Sequence, residues 1–148
     1  MNRSLTSLLL VLAIAGCASG PSSAPLPPDL RIVAPDPALA PEVRALSGQW
    51  TGKFVGRYGS LDHTLVVERI DGSAATVVYA NGAMISSQGG GIDPGFRRLQ
   101  ARVQPGKIDF TLPNGAVVNY AMQADGTLAG TYDRSGQVST ARLTRAGG

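Results

Sequence analysis

Residues 96–123 read FRRLQARVQPGKIDFTLPNGAVVNYAMQ, and the fold can be predicted from the alternation in this stretch. In KIDFTL (107–112) every second residue is apolar, as expected for a strand with one buried and one wet face. The dipeptides Pro105-Gly106 and Asn114-Gly115 divide the stretch into three such segments. Because Asn-Gly supplies the positive φ angles of a tight hairpin turn, the stretch predicts three consecutive antiparallel strands.

The same pattern covers the rest of the region 46–148, where short apolar-alternating segments are separated by further turn dipeptides. The predicted strands lie near 49–57, 61–69, 74–80, 96–104, 107–112, 115–123, 127–133 and 137–144, with a weaker segment at 83–88. We therefore predict an all-β fold, an antiparallel up-and-down meander of eight strands, or nine if the weak segment counts. A meander of this size is expected to close into a barrel, because closure removes exposed strand edges.

Gly48-Gln49-Trp50 opens the first predicted strand. This G-x-W sequence resembles the start of calycin barrels, the group that includes lipocalins, fatty-acid-binding proteins and avidins. The resemblance implies that Trp50 closes one end of the barrel and that an arginine of the last strand, Arg142 or Arg145, packs over it. Residues 125–132, DGTLAGTY, are similar to an avidin-type strand. Biotin binding is not implied, because an avidin site uses several tryptophans and this chain has one.

The N-terminus has the order of a secretory signal, with Arg3 followed by an apolar run and then small residues. The apolar run, 5–15, is shorter than the roughly 20 residues that a membrane-spanning helix needs. Ile14-Ala15-Gly16-Cys17 resembles the lipobox of bacterial lipoproteins. The resemblance implies a signal peptide at 1–16, acylation of Cys17, and attachment to the cell envelope.

Ala18 and Ser19 follow the cysteine, without the aspartate that favours retention in the inner membrane. By resemblance to the lipoprotein sorting pattern, we expect the lipid anchor to lie in the periplasmic leaflet of the outer membrane. Since Cys17 is the only cysteine, no intramolecular disulfide can form.

Seven of the ten prolines fall between residues 18 and 45. Proline lacks an amide donor and fixes φ, so such a stretch builds neither a helix interior nor a central strand. We therefore predict that 17–45 comprises the lipidated cysteine and a Pro-rich disordered tether, and that 46–148 is the barrel domain. The tether would hold the domain clear of the membrane or act as an inert linker.

The sequence offers little for catalysis. His63 is the only histidine, and the adjacent Asp62 faces the opposite side of the predicted strand, so it cannot orient the ring in a triad. A lone histidine also supplies no metal site. We therefore predict a protein that is not an enzyme and uses no metal or cofactor; a small hydrolase using His63 ranks last among the alternatives.

The charge is mild, at +3 for the whole chain, and does not indicate nucleic-acid binding. Neighbouring strands carry Arg97, Arg98, Arg102 and Lys107. These four residues form either a solvated outer face or a basic patch, and such a patch would meet anionic lipid headgroups or wall polymers.

The expected function is that of an envelope lipoprotein whose barrel binds a small apolar or amphiphilic ligand, in a cavity on the order of a few hundred Å³. The candidate ligand-binding residues are Trp50, Phe54, His63, Tyr79, Tyr120 and Tyr132. The alternative is an interaction or structural lipoprotein, an inhibitor or envelope-assembly factor without a ligand cavity. In that case the loop 86–95, SSQGGGIDPG, would contact an envelope protein.

Overall fold

The computed structural model describes residues 23–85 and 90–147, apart from the side chain of Ile85. The predicted signal peptide, Cys17 and part of the 86–95 loop lie outside the described residues. The elements, in chain order, are α1 (Pro41–Arg44), β1 (Gly48–Gly56), β2 (Gly59–Asp71), β3 (Ala74–Asn81), β4 (Met84–Ile85), β5 (Gly91–Ile92), β6 (Gly95–Gln104), β7 (Lys107–Thr111), β8 (Val117–Met122), β9 (Leu128–Arg134) and β10 (Gln137–Arg145). No helix in the described part of the chain is long and apolar enough to cross a bilayer.

Eight strands form a closed antiparallel barrel in the order β1-β10-β9-β8-β7-β6-β3-β2. The barrel closes where β1 pairs with β10, with Trp50 opposite Arg145. The predicted all-β fold, the antiparallel meander and the eight-stranded barrel are therefore confirmed. The weak segment at 83–88 adds no ninth strand to the barrel, because β4 pairs with β5 in a separate two-stranded ribbon.

Trp50 fills the end of the barrel at which β1 begins, which we call the closed end. Its side chain is 1% exposed, and its indole N–H donates to the carbonyl of Leu46 at 3.0 Å. The guanidinium carbon of Arg145 lies 4.2 Å from the centre of the indole ring. Of the two arginines expected there, Arg145 occupies the position, whereas Arg142 forms an ion pair with Asp125.

The half of the barrel next to the closed end is solid. Inward-facing residues from all parts of the wall are fully buried there and fill the interior: Leu65, Val67, Val77, Ile108, Leu128 and Leu143. Such packing at the density of a protein core leaves no room for a ligand in this half.

The prediction of a disordered tether is wrong for residues 23–45: residues 23–33 pack along the outside of the barrel, and Leu39 and Val43 pack against the main core. Within this segment we call residues 23–33 the strap. Ala24, Leu26 and Leu30 of the strap cover the outward-facing Val66, Val78 and Ala80, each of which is 0% exposed. The prolines disfavour helix and ladder pairing, but an extended segment that lies across a sheet by side-chain contacts needs neither. The folded domain therefore includes residues 23–45, whereas the sequence prediction started the domain at residue 46.

Polar contacts fix the strap at both of its ends. Ser23 donates from its backbone N–H and its hydroxyl to Asp62, at 3.2 and 2.7 Å. The Val33 N–H donates to the carbonyl of Glu68 at 2.7 Å. Between these two points Arg98, on β6, donates to both carboxylate oxygens of Glu68 and of Asp29. The strap therefore runs from near the start of β2 towards the closed end.

Candidate ligand-binding cavity

The end of the barrel opposite Trp50 is open and contains a cavity of about 980 Å³, lined by the end residues of the strands and by their connections. The cavity opens at the end where the β1–β2, β3–β6, β7–β8 and β9–β10 connections lie, which we call the mouth. Its volume exceeds the few hundred Å³ expected from the sequence. It lies at the upper end of the range in which proteins enclose drug-sized ligands.

Aromatic and aliphatic side chains form the floor of the cavity. Phe54 lies at the centre, with ring-centre distances of 6.5 Å to Tyr79 and 6.2 Å to Tyr132. Leu61 and Leu112 complete the apolar surface around these rings. Because the residues point inward from β1, β2, β3, β9 and the end of β7, the floor spans the barrel from wall to wall.

His63 lies directly beneath this floor and is 0% exposed. Its ring centre is 4.8 Å from that of Phe54 and 4.6 Å from that of Tyr79. Nδ1 lies 2.7 Å from the carbonyl oxygen of Ala80, and Nε2 lies 2.7 Å from the hydroxyl of Tyr120. A carbonyl only accepts, so Nδ1 carries the proton, and Nε2 of the neutral ring accepts from Tyr120.

Burial lowers the pKa of His63 from its usual 6.5 to about 3, against a smaller opposing contribution from the hydrogen bond to Ala80. The ring is therefore neutral at physiological pH, as the hydrogen bonds require. Burial also raises the pKa of Tyr120 and of Tyr79. Both phenols keep their protons, so Tyr120 remains a donor to His63 and Tyr79 presents a neutral hydroxyl at the cavity floor.

Tyr120 owes its position to a glycine on the neighbouring strand. It stands opposite Gly130 in the β8–β9 ladder. A Cβ at Gly130 would lie 3.1 Å from the tyrosine ring, closer than ordinary van der Waals contact. The glycine in the avidin-like sequence 125–132 thus makes room for the ring that holds His63.

The structure divides the six predicted ligand-binding residues into three groups. Phe54, Tyr79 and Tyr132 line the cavity. His63 and Tyr120 lie below the floor and reach the cavity only through the rings above them. Trp50 is at the closed end, and packed side chains separate it from the cavity. It therefore cannot contact a ligand bound there.

Sequence reasoning assigned Arg97 to an outer basic patch and did not single out Arg57 or Arg134, yet all three arginines lie at the mouth. Arg97 and Arg134 point inward on β6 and β9, and Arg57 lies in the β1–β2 turn. The alternation of the stretch 96–104 carried the signal, since it places Arg97 on the same face as Leu99. The predicted basic patch is consequently divided, because Arg98 binds the strap and Arg102 pairs with Asp109.

Within residues 23–85 and 90–147, no group of three His, Cys, Asp or Glu side chains is placed to hold a metal ion. The part of the 86–95 loop that can be placed contributes Ile92, Asp93 and Pro94 to the cavity wall. Residues 86–89 lie outside the described chain, and the prediction that this loop binds a partner remains a prediction.

Two designed proteins have structures similar to this one. One is a redesigned β-barrel, with a TM-score of 0.54 and 15% identity over 72% of this chain and 96% of the design. The other is a de novo designed fluorescence-activating β-barrel, with a TM-score of 0.50 and 15% identity over 72% of this chain and 99% of that design. No protein-family model and no curated protein sequence matches the chain. At this level of identity the likeness establishes the fold: the chain forms an eight-stranded antiparallel β-barrel of the kind seen in these designs.

Proposed function

We propose that this chain is an envelope lipoprotein, anchored through Cys17, whose barrel binds a small apolar or amphiphilic ligand in the cavity. The observation that carries the proposal is the contrast between the two halves of the barrel. The interior is packed from the closed end up to the apolar floor, whereas the space between the floor and the mouth is a cavity of about 980 Å³. Evenly loose packing would not produce a single large cavity beside a well-filled core.

The lining favours a ligand with a large apolar part and one polar end. Phe54, Leu61 and Leu112 offer only apolar surface at the floor, while Arg57, Arg97 and Arg134 place guanidinium groups nearer the mouth. Apolar burial would supply most of the affinity, and the polar groups would orient the ligand. The alternative function, an interaction protein without a ligand cavity, calls for a filled barrel, and the cavity argues against it.

The first experiment is native mass spectrometry of residues 18–148, secreted to the periplasm without the acyl group and purified gently. This chain keeps the whole strap and barrel. We expect a fraction of the protein to carry a defined added mass that is lost on denaturation. The neutral dye N-phenyl-1-naphthylamine provides a second readout, since its fluorescence rises in an apolar site.

Ser139 and Thr140 provide matched positions for a cavity-filling substitution. Ser139 faces the cavity, and Thr140 follows it on the outer face of β10, where it is exposed. Ser139→Phe should weaken dye binding by about tenfold or more by occupying the site, whereas Thr140→Phe should leave it unchanged. Equal binding by both variants, together with a bare native mass, would overturn the proposal.

A further inference from the structure

Exposed apolar side chains are concentrated around the mouth. The described residues include eight large hydrophobic side chains that are exposed, and six of them line the mouth or lie next to it: Val55, Tyr58, Ile92, Phe96, Val117 and Val138. Single exposed hydrophobic residues are normal, but a group of them around one opening marks an interaction surface.

The same opening carries cations that have no carboxylate partner. Arg57, Arg97 and Arg134 line the cavity and form no ion pair with any described residue. In contrast, the arginines on the outer wall pair with carboxylates, as Arg102 does with Asp109. Asp93 is the acidic residue among those lining the cavity. Asp133 adds a second carboxylate at the β9–β10 turn, so three arginines face two carboxylates and the mouth keeps a net positive charge.

The strap begins near the mouth. Ser23 is held by Asp62, beside Gly82 at the end of β3. Five residues, 18–22, separate Ser23 from Cys17, so the two Cα atoms are at most roughly 22 Å apart. Asp71, at the closed end of β2, is nine residues beyond Asp62, or about 30 Å along the strand. Because barrel strands tilt by roughly 40°, this is roughly 23 Å along the barrel axis. An acyl group on Cys17 would thus have the shorter path to a membrane next to the mouth.

We propose that the mouth docks on an anionic lipid bilayer, with the cavity opening onto the membrane surface. The docking residues, which we call the rim, are Arg57, Tyr58, Phe96, Arg97, Arg134 and Val138. Arginines attract anionic headgroups, and aromatic and aliphatic side chains insert at the interface. The inference concerns the surface around the cavity and does not depend on the proposed ligand, whereas the tether length supports it only through the proposed acylation of Cys17. In this arrangement the barrel lies against the membrane, in contrast to the expectation that a tether holds it clear of the membrane.

The test uses residues 18–148 without the acyl group, so that only the rim can bind lipid. We expect the chain to float with vesicles containing about one-third phosphatidylglycerol, and not with pure phosphatidylcholine vesicles. Binding should weaken as salt rises, because exposed charges are screened. Absence of binding to the anionic vesicles, or equal binding to both kinds, would overturn the proposal.

Charge reversal separates the rim from general electrostatic attraction. The double variant Arg97→Glu/Arg134→Glu should bind anionic vesicles at least about tenfold more weakly. The control Arg69→Glu/Lys107→Glu makes the same change of net charge at exposed positions near the closed end and should bind like the native chain. Equal losses in both variants would mean that the rim is not the docking surface.

The orientation can be measured with brominated lipids, which quench nearby tryptophan fluorescence. The native chain has one tryptophan, Trp50, buried at the closed end, so its fluorescence should be unaffected. Tyr58→Trp adds a second at the mouth, and we expect its emission to be quenched. Quenching of Trp50 alone would overturn the proposed orientation. The dye assay on the same protein reports the cavity separately, so either proposal can fail while the other stands.

Discussion

The guanidinium of Arg145 lies over Trp50, with its central carbon 4.2 Å from the ring centre. It also donates to the carbonyls of Ser47 and Ala45, at 2.7 and 2.6 Å. Arg145 and Trp50 are partners across the β1–β10 seam, where the barrel closes. A single side chain thus joins the last strand, the first strand and the segment that enters the barrel.

We expect Arg145→Ala to lower the free energy of unfolding by about 1–2 kcal/mol, because it removes the cation–π contact and leaves carbonyls without a donor. Arg142→Ala is the matched control on the same strand, since Arg142 is exposed and pairs only with the exposed Asp125. Urea unfolding followed by Trp50 fluorescence would measure both. A loss in the control as large as in Arg145→Ala would contradict this account of the closed end.

Gly48 should be intolerant of substitution for a related reason. Its φ is +114°, and a Cβ there would come within 2.7 Å of an Arg145 nitrogen. Gly48→Ala should therefore strain the backbone and displace the guanidinium from Trp50, lowering stability by about 1 kcal/mol or more. In the Arg145→Ala background the displacement no longer matters, so the two effects should be less than additive. Full additivity in a double-mutant cycle would show that the glycine is needed for its φ alone.

Stability should fall as the pH drops from 7 to 5, because of His63. Its pKa is about 3 in the folded chain and about 6.5 when unfolded. Below pH 6.5 the unfolded chain therefore binds a proton that the folded chain does not. The free energy of unfolding should decline by about 1.4 kcal/mol per pH unit down to about pH 3. The carboxylates whose pKa is lowered in the folded chain, such as that of Asp62, contribute only near and below the usual pKa of 3.8.

His63→Gln is the control for this pH dependence, because an amide can donate to Ala80 and accept from Tyr120 but does not titrate. The variant should be less stable at pH 7 and show a flat profile between pH 7 and 5. Denaturant unfolding at several pH values gives the slope directly. The same slope in both proteins would assign the pH dependence to other groups.

Tyr120→Phe should destabilise the barrel by about 1–3 kcal/mol, because it leaves Nε2 of the buried His63 without a donor. Tyr132→Phe is the matched control: the Tyr132 hydroxyl accepts from Asn114 at an exposed position, where water replaces the lost bond. We expect the control to change stability by less than about 0.5 kcal/mol. Comparable losses in the two variants would contradict the buried tyrosine–histidine pair.

The strand pattern was readable from the sequence because alternation and turn dipeptides are local signals. The strap was not, because its docking depends on the outer faces of two strands that are distant in sequence. A signal was present in LVV (65–67) and in ATVVYA (75–80), which are apolar without alternation. Such runs are typical of strands buried on both faces, and they imply that something covers the outside.

Because alternation is a local signal, it predicted only some of the cavity residues. Alternation along each strand predicts that the side chains of Phe54, Tyr79 and Tyr132 face the barrel interior. It does not predict how far along the barrel axis each side chain lies. Whether an inward residue lies in the packed half or in the cavity depends on where its strand begins relative to its neighbours. Trp50 and Tyr120 also face the interior, yet the strand register places Tyr120 below the floor and Trp50 at the closed end.

A charge under the strap should release it from the barrel. Ala24 is 7% exposed and lies against Val66 and Val78, so Ala24→Asp would bury a carboxylate without a cation, which is strongly unfavourable. Pro25→Asp adds the same charge at the next residue, which is exposed, and is the control. Hydrogen exchange should show faster exchange of strap amides, such as that of Val33, in Ala24→Asp only. Amides of the β7–β8 ladder should keep their native rates, because the strap does not touch those strands. If the strap amides exchange at native rates in Ala24→Asp, apolar docking is not what holds the strap.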